Sequence, residues 1–197
     1  LFASVAHAAG YEPIKHKPVP VKVSEHVYYV QGLPGIASEQ NEGYNSNAGF
    51  VVTDDGVIVI DALGTAPLGY EFIKAIRSVT DKPIKRVIVT HYHADHVYGL
   101  QAFKEIGAEV WAHRAGLRYV EGEAQARLEQ RRRDLFPWVN EQTRVVKADR
   151  WINSDEKFAF GGLHFESIYM GPAHAPDDMV IVVREDQVFF SGDIIFT

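Results

Sequence analysis

Apolar, branched residues come in short runs along this chain, and polar or Gly/Pro punctuation separates them. Val21 to Val30 alternates loosely and is bounded by Gly32-Leu33-Pro34-Gly35, which predicts a strand. Ala48 to Thr53 and Val57 to Asp61 flank Asp54-Asp55-Gly56, and Asp-Gly between apolar runs predicts a hairpin. Pro67 to Val79 sets Phe72, Ile73, Ile76 and Val79 on one helical face. Lys85 to Thr90 reads as the next strand. Val97 to Gly107 predicts a helix with Leu100, Phe103 and Ile106 as its apolar stripe, and Glu109 to Ala112 a further strand. This order implies parallel strands with crossover helices, and such sheets gather ligands at the carboxyl ends of their strands.

The later pattern is different. Arg114 to Leu135 predicts one highly charged helix, with Glu123–Arg127 and Glu129–Arg133 as i,i+4 pairs and Arg131-Arg132-Arg133 on a solvated face. Phe136-Pro137-Trp138 breaks it, and either covers a core edge or walls a pocket. Asp155 to Phe160 and Leu163 to Met170 around Gly161-Gly162 predict a second hairpin. Gly171 to Asp178 is a turn, and Met179 to Val183 and Gln187 to Ser191 are the last strands. Two groups of strands imply two sheets. Gly32 to Asn47 is a long polar loop, either functional or a plain surface excursion.

Composition narrows the picture. With 197 residues, 46% hydrophobic and 23% charged, one domain with a sizeable core is expected. A net charge of -6 offers no basic field for nucleic acid. The absence of cysteine excludes disulfides and any thiolate ligand or nucleophile. No stretch approaches the length of a transmembrane helix. Leu1 to Gly10 resembles the end of a signal peptide, with Ala6-His7-Ala8 as a small-x-small cleavage site. Residues 1–9 are therefore expected to be a signal remnant, 10–20 an extended Lys/Pro-rich lead-in, and 21–197 the folded domain. The protein is expected to be exported, to the periplasm or the cell exterior.

The densest chemistry follows the buried run Val87-Ile88-Val89. After Thr90 come His91-Tyr92-His93-Ala94-Asp95-His96, three imidazoles and a carboxylate. His91 and His93 are two apart, so extended backbone points both to one side. Asp95 and His96 come where a helical pattern begins, and Asp favours a helix start. Imidazole and carboxylate suit Zn²⁺ or Fe²⁺ rather than Mg²⁺ or Ca²⁺. A catalytic zinc takes three protein ligands. His174, in a Gly/Pro-bounded turn at a strand end, is the best third. His113 and His164 read as packing or surface residues, and His7, His16 and His26 lie far from the cluster in sequence. Asp95 and His96 can hold a second metal, with Asp193 bridging. Asp61 ends a buried strand at its carboxyl end, like the histidine cluster.

Asp61, His91-Tyr92-His93-Ala94-Asp95-His96, His174 in Gly-Pro-Ala-His, and Ser191-Gly192-Asp193 together resemble the metallo-β-lactamase superfamily, over Val21 to Thr197. The resemblance implies an α/β fold, an αββα sandwich with a dinuclear site at one edge. His91, His93 and His174 would bind the first metal, and Asp95, His96 and bridging Asp193 the second. It also implies a last histidine after further strands and helices beyond Thr197, so the sequence reads as a fragment whose C-terminal part is missing. Without cysteine the chain departs from the cysteine-containing β-lactamase subclasses. Gly192-Asp193 looks like the glyoxalase II-like hydrolases, and the whole run is similar to exported zinc hydrolases of the quinoprotein-relay type. The implied activity is hydrolysis of an ester, thioester or amide carbonyl, β-lactams among them, by zinc-activated water. Two Zn²⁺ per full-length chain would serve, with iron as an alternative. Asp95 would orient the nucleophile or relay a proton, Asp61 would fix the metal loop by accepting hydrogen bonds, and Tyr92 would pack. The expected partner is a small-molecule substrate whose identity the sequence does not carry. A mononuclear iron dioxygenase on the same scaffold, without His96 as ligand, and a non-catalytic metal-binding module are the competing readings.

Overall fold

Val57 to Ile60 is buried on both sides, as an apolar run is when its sheet is covered on both faces. In the computed structural model, which describes residues 10–195, this run is the centre of the larger of two sheets. The expected signal remnant lies outside the described residues. Seven strands form the first sheet, in the order β1 (Val21–Lys22), β2 (Val27–Val30), β3 (Ala48–Thr53), β4 (Gly56–Ile60), β5 (Ile84–Ile88), β6 (Glu109–His113) and β7 (Arg150–Ile152). The first four pair antiparallel, and β4 to β7 run parallel. The parallel strands and the hairpin at Asp54-Asp55 agree with the hydrophobic pattern.

The strand expected over Val21 to Val30 is two strands. Ser24 Oγ (2.5 Å), the His26 backbone N–H (2.9 Å) and His26 Nδ1 (2.8 Å) all meet the Asp186 carboxylate, which gathers residues 24–26 into a turn. Helix α1 (Ala66–Val79) begins where Thr65 accepts a hydrogen bond from the Leu68 N–H, and buries Leu68, Phe72, Ile73 and Ile76 against the first sheet. The helix expected from Val97 to Gly107 is α2 (Ala94–Val97) and α3 (Leu100–Glu105). Gly99 lies between them, where its N–H bonds the Leu63 carbonyl at 3.0 Å, and a Cβ there would lie 1.8 Å from the Ala62 carbonyl oxygen.

The single charged helix expected over Arg114 to Leu135 is also divided. A tight turn covers Arg114–Gly116, a widened turn Tyr119–Glu123, and α4 runs from Ala124 to Asp134. The widened turn carries buried Tyr119 inward, with its hydroxyl 3.3 Å from that of Tyr98. Glu129 pairs not with Arg133 but with Arg132, at 2.7 Å, and Arg132 also donates to the carbonyls of Asn140 and Thr143. Trp138 covers a core edge and donates to the Pro13 carbonyl at 3.0 Å.

The second sheet is antiparallel, in the order β11 (Val188–Phe190), β10 (Met179–Val183), β9 (Leu163–Tyr169), β8 (Glu156–Phe160). Alternation along β4 decides the layers. Ile58 and Ile60 join Val27, Val51, Ile88 and Trp111 against Phe165, Met179, Ile181 and Val183 of the second sheet. Val57 and Val59 face the other way, with Phe50, Val87 and Val89, toward Leu68, Phe72 and Phe103 of the helices. Each such fully buried side chain contributes about 1.5–3 kcal/mol. The described residues thus form helix, sheet and sheet layers of an α/β sandwich. Among the described residues no helix residue enters the core between the sheets, and Lys157, Ala159 and His164 of the second sheet are exposed. No helix among the described residues is long and apolar enough to cross a membrane.

Candidate metal centre

Parallel neighbours β4 and β5 end side by side, and each delivers a polar group to the same edge. Asp61 follows β4 in the left-handed region, at φ 61, a conformation that Asp tolerates better than most residues. Its Oδ1 accepts the Thr90 N–H at 2.8 Å, and its Oδ2 accepts the Thr90 hydroxyl at 2.7 Å and His96 Nδ1–H at 2.9 Å. Because the Thr90 hydroxyl donates to Asp61, it is an acceptor toward His91 Nδ1, 3.1 Å away. Both rings therefore carry a proton on Nδ1 and turn Nε2 outward. The Nε2 atoms of His91 and His96 are buried without a hydrogen-bond partner. Two buried, orphaned imidazole nitrogens are costly unless something binds them, and a ring fixed by a carboxylate network behind it is how metal-binding histidines are held.

His93 belongs to the same loop, and the remaining donors, His174 and Asp193, come from two other segments. His93 Nδ1 lies 3.0 Å from His174 Nε2, although 81 residues separate them in sequence. The ring of His91 is 4.7 Å from that of His93 and 5.0 Å from that of His174. One donor atom each from His91, His93 and His174 falls within 4.8 Å of the others, and the same holds for His91, His96 and Asp193. Asp193 Oδ1 is 3.2 Å from His96 Nε2, out of line for a hydrogen bond, and Oδ2 is 3.6 Å from His174 Nε2. It reaches toward both groups. The donors suit a divalent transition metal, and two groups of this kind are consistent with a dinuclear zinc site.

Electrostatics prepare the three-histidine group more than the second one. Burial, and then the neighbouring imidazoles, hold His91 and His93 below the ordinary histidine range. They stay neutral, the state that a metal requires. Burial also works against a charge on His96, but the Asp61 and Asp193 carboxylates outweigh it and raise this group, so a metal there would have to displace its Nε2 proton. For Asp193 burial is likewise outweighed, chiefly by His96, and its carboxyl falls to about 2.

The structure brings together His91, His93, His96, His174 and Asp193, with Asp61 beneath them. Asp95 stands in neither group. Its Oδ2 accepts from Asn45 Nδ2 at 2.8 Å, and its carbonyl from the Ser46 hydroxyl at 2.5 Å, so the loop from Gly32 to Asn47 is fastened to the metal loop. Tyr92 packs, buried, and donates to the Val146 carbonyl at 2.9 Å. His113 stacks on Tyr169, His164 pairs with Glu185 and His26 with Asp186. His7 lies outside the described residues. Sequence reasoning missed Asn45, Ser46 and the anchoring role of Thr90. It also missed Asp177 and Asp178, which are buried and accept from the backbone N–H of Tyr92 (2.8 Å) and Ala175 (2.6 Å). Two adjacent carboxylates in a turn beside a candidate ligand were the only signal for that pair.

The family described as the metallo-beta-lactamase superfamily matches residues 41–197. The chain is 28% identical over 159 residues to the metallo-beta-lactamase type 2 of Elizabethkingia meningoseptica, covering 77% of this chain and 53% of that protein. It is 26% identical over 156 residues to the hydroxyacylglutathione hydrolase GloC of Haemophilus influenzae, covering 78% and 68%. The solved structure of a metallo-beta-lactamase from Pontibacter korlensis superposes with a TM-score of 0.68 at 20% identity, over 89% of this chain and 71% of that one. The chain thus spans about half the length of the first of these curated relatives.

Proposed function

The chain belongs to the metallo-beta-lactamase superfamily, and on that premise we propose that the protein is a zinc-dependent hydrolase of an ester, thioester or amide carbonyl. The observation that carries this reading is the convergence of His91, His93 and His174, with the orphaned Nε2 of His91 aimed into the group. Three imidazoles are a catalytic zinc set that leaves one position for water. A zinc ion bound there would supply a water acidified to a pKa of about 7 and a Lewis acid for the carbonyl oxygen. The chain's own residues do the rest. Asp61 and Thr90 fix the tautomer of His91, and Asp61 that of His96. Asp193 stands between the two donor groups. Asp95, steadied by Asn45, would orient the nucleophile or relay its proton.

Among carbonyl substrates a thioester stands first. The chain lacks the cysteine of some β-lactamase subclasses and carries Asp193 at its second donor group, and one relative is named a hydroxyacylglutathione hydrolase. A second reading is a mononuclear iron dioxygenase that leaves His96 unbound and takes two histidines of the first group with Asp193, whose Oδ2 lies 3.6 Å from His174 Nε2. Metal analysis and a substrate panel separate the two. The purified protein should hydrolyse acyl-thioesters ahead of esters and β-lactams, lose that activity to a chelator and regain it with zinc. A zinc-loaded protein that turned over none of them would overturn the proposal, and iron-dependent oxygen uptake would select the second reading.

A further inference from the structure

The three-histidine group is split between two connections. His91 and His93 leave the end of β5 in the first sheet, whereas His174 sits between β9 and β10 in the second. Something must set the distance between them, since a metal tolerates little error in its donors. One buried side chain spans the gap. Asp177 lies three residues beyond His174, and its Oδ2 accepts the N–H of Tyr92, the residue between His91 and His93, at 2.8 Å. The carboxylate is 3% exposed as part of its residue. Beside it the Met179 N–H bonds the Thr90 carbonyl at 2.9 Å, which completes a two-point seam between the sheets.

Gly116 supplies independent evidence. It is buried, and a Cβ there would stand 2.6 Å from Asp177 Oδ2 and 2.9 Å from the Tyr92 ring. Its backbone does not lie in the left-handed region where glycine is otherwise favoured. The missing side chain is explained by the space that the Asp177 carboxylate and Tyr92 occupy.

We infer that Asp177 is the positioning residue of the three-histidine group, holding the His174 loop in register with His91 and His93 through the Tyr92 amide. The inference rests on the metal reading of the site and not on hydrolysis, so its test reads metal. Zinc affinity is measured by chelator competition, and the ligand field by absorption of the Co²⁺ form, on the 197-residue chain and its variants. Asp177→Ala should weaken zinc about 10–100-fold, the usual cost of losing a partner behind a metal ligand, and should change the Co²⁺ spectrum. Asp177→Asn retains an acceptor for the Tyr92 amide, and should restore both toward the parent. If Asp177→Ala does not fold, Gly116→Ala serves instead, because its methyl displaces the same carboxylate, and it too should weaken zinc. Parent-like binding in Asp177→Ala or Gly116→Ala, or an Asn variant as weak as the Ala one, would sink the role alone. A parent chain that binds no zinc would sink the metal reading together with it.

Discussion

Asp61 grips Thr90 twice, taking the backbone N–H on Oδ1 at 2.8 Å and the hydroxyl on Oδ2 at 2.7 Å. The double contact locks the carboxyl ends of two parallel strands together. It also passes along a chain of donors, so that one carboxylate decides the tautomers of His91 and His96. A single residue thereby governs both stability and the availability of two metal donors.

Asp61→Ala leaves the Thr90 amide, the Thr90 hydroxyl and His96 Nδ1 without their acceptor in a buried place. Removing one partner of such a buried charged contact costs about 3–5 kcal/mol, and the metal-free chain should lose that much in urea unfolding. Zinc affinity should fall about 10–100-fold. Asp61→Asn keeps one acceptor oxygen and should lie between the parent and the Ala variant. Equal zinc affinity in all three would contradict the tautomer argument.

Much of this was legible in the sequence, because hydrophobic period and turn residues act locally. The hairpin at Asp54-Asp55, strand β10 and the parallel run of β4, β5 and β6 follow from branched apolar residues and their punctuation. His91, His93, His174 and Asp193 were legible because imidazole and carboxylate at strand mouths serve packing poorly. What escaped is set by contacts across the chain. Nothing local to Val21–Val30 announces that Asp186 will bend residues 24–26. Nothing near Gly99 announces the Leu63 carbonyl that draws its N–H out of the helix. The place of Asp95 beside Asn45 depends on a loop fifty residues earlier, which no periodicity could place.

Asp186 gives stability a dependence on acid. Burial opposes its charge, but hydrogen bonds from Ser24, the His26 amide and the His26 ring outweigh it and lower the carboxyl below its ordinary 3.8. A depressed acid contributes fully above its unfolded value and loses the contribution as pH falls through its folded one. The metal-free chain should therefore lose stability below about pH 4. Asp186→Asn should be weaker at neutral pH by about 1–3 kcal/mol, with a smaller loss on acidification. Denaturant midpoints across pH 3 to 7 provide the check, and parallel curves for both proteins would refute the assignment.

Gly99→Ala tests how tightly the metal loop is backed. The added methyl would lie 1.8 Å from the Ala62 carbonyl oxygen and 3.1 Å from Gly69 Cα, backbone atoms that cannot rotate away. Overpacking of this kind costs about 1–3 kcal/mol and more where backbone must move. The Ala62 N–H also bonds the His96 carbonyl at 2.8 Å, so the displacement reaches a candidate ligand. Thermal unfolding should show a lowered midpoint, and Co²⁺ spectra a greater change at the His96 group than at the His93 group.

The supply of donor atoms limits how tightly a second metal can be held. His91 belongs to both groups, yet it has one outward lone pair, on Nε2, because Nδ1 is committed to Thr90. It can serve one metal at a time. With His91 given to His93 and His174, the second group retains His96 and Asp193, one donor short of the three that hold a catalytic zinc. Asp95 would have to leave Asn45 to make up the number. The 197-residue chain should therefore bind one equivalent of zinc tightly and a second more weakly. Equilibrium dialysis at pH 7 separates the two steps. His93→Ala should abolish the tight step, Asp193→Ala should weaken chiefly the second, and His91→Ala should impair both. Two steps of equal affinity in the parent chain would mean that Asp95 or another donor already completes the second group.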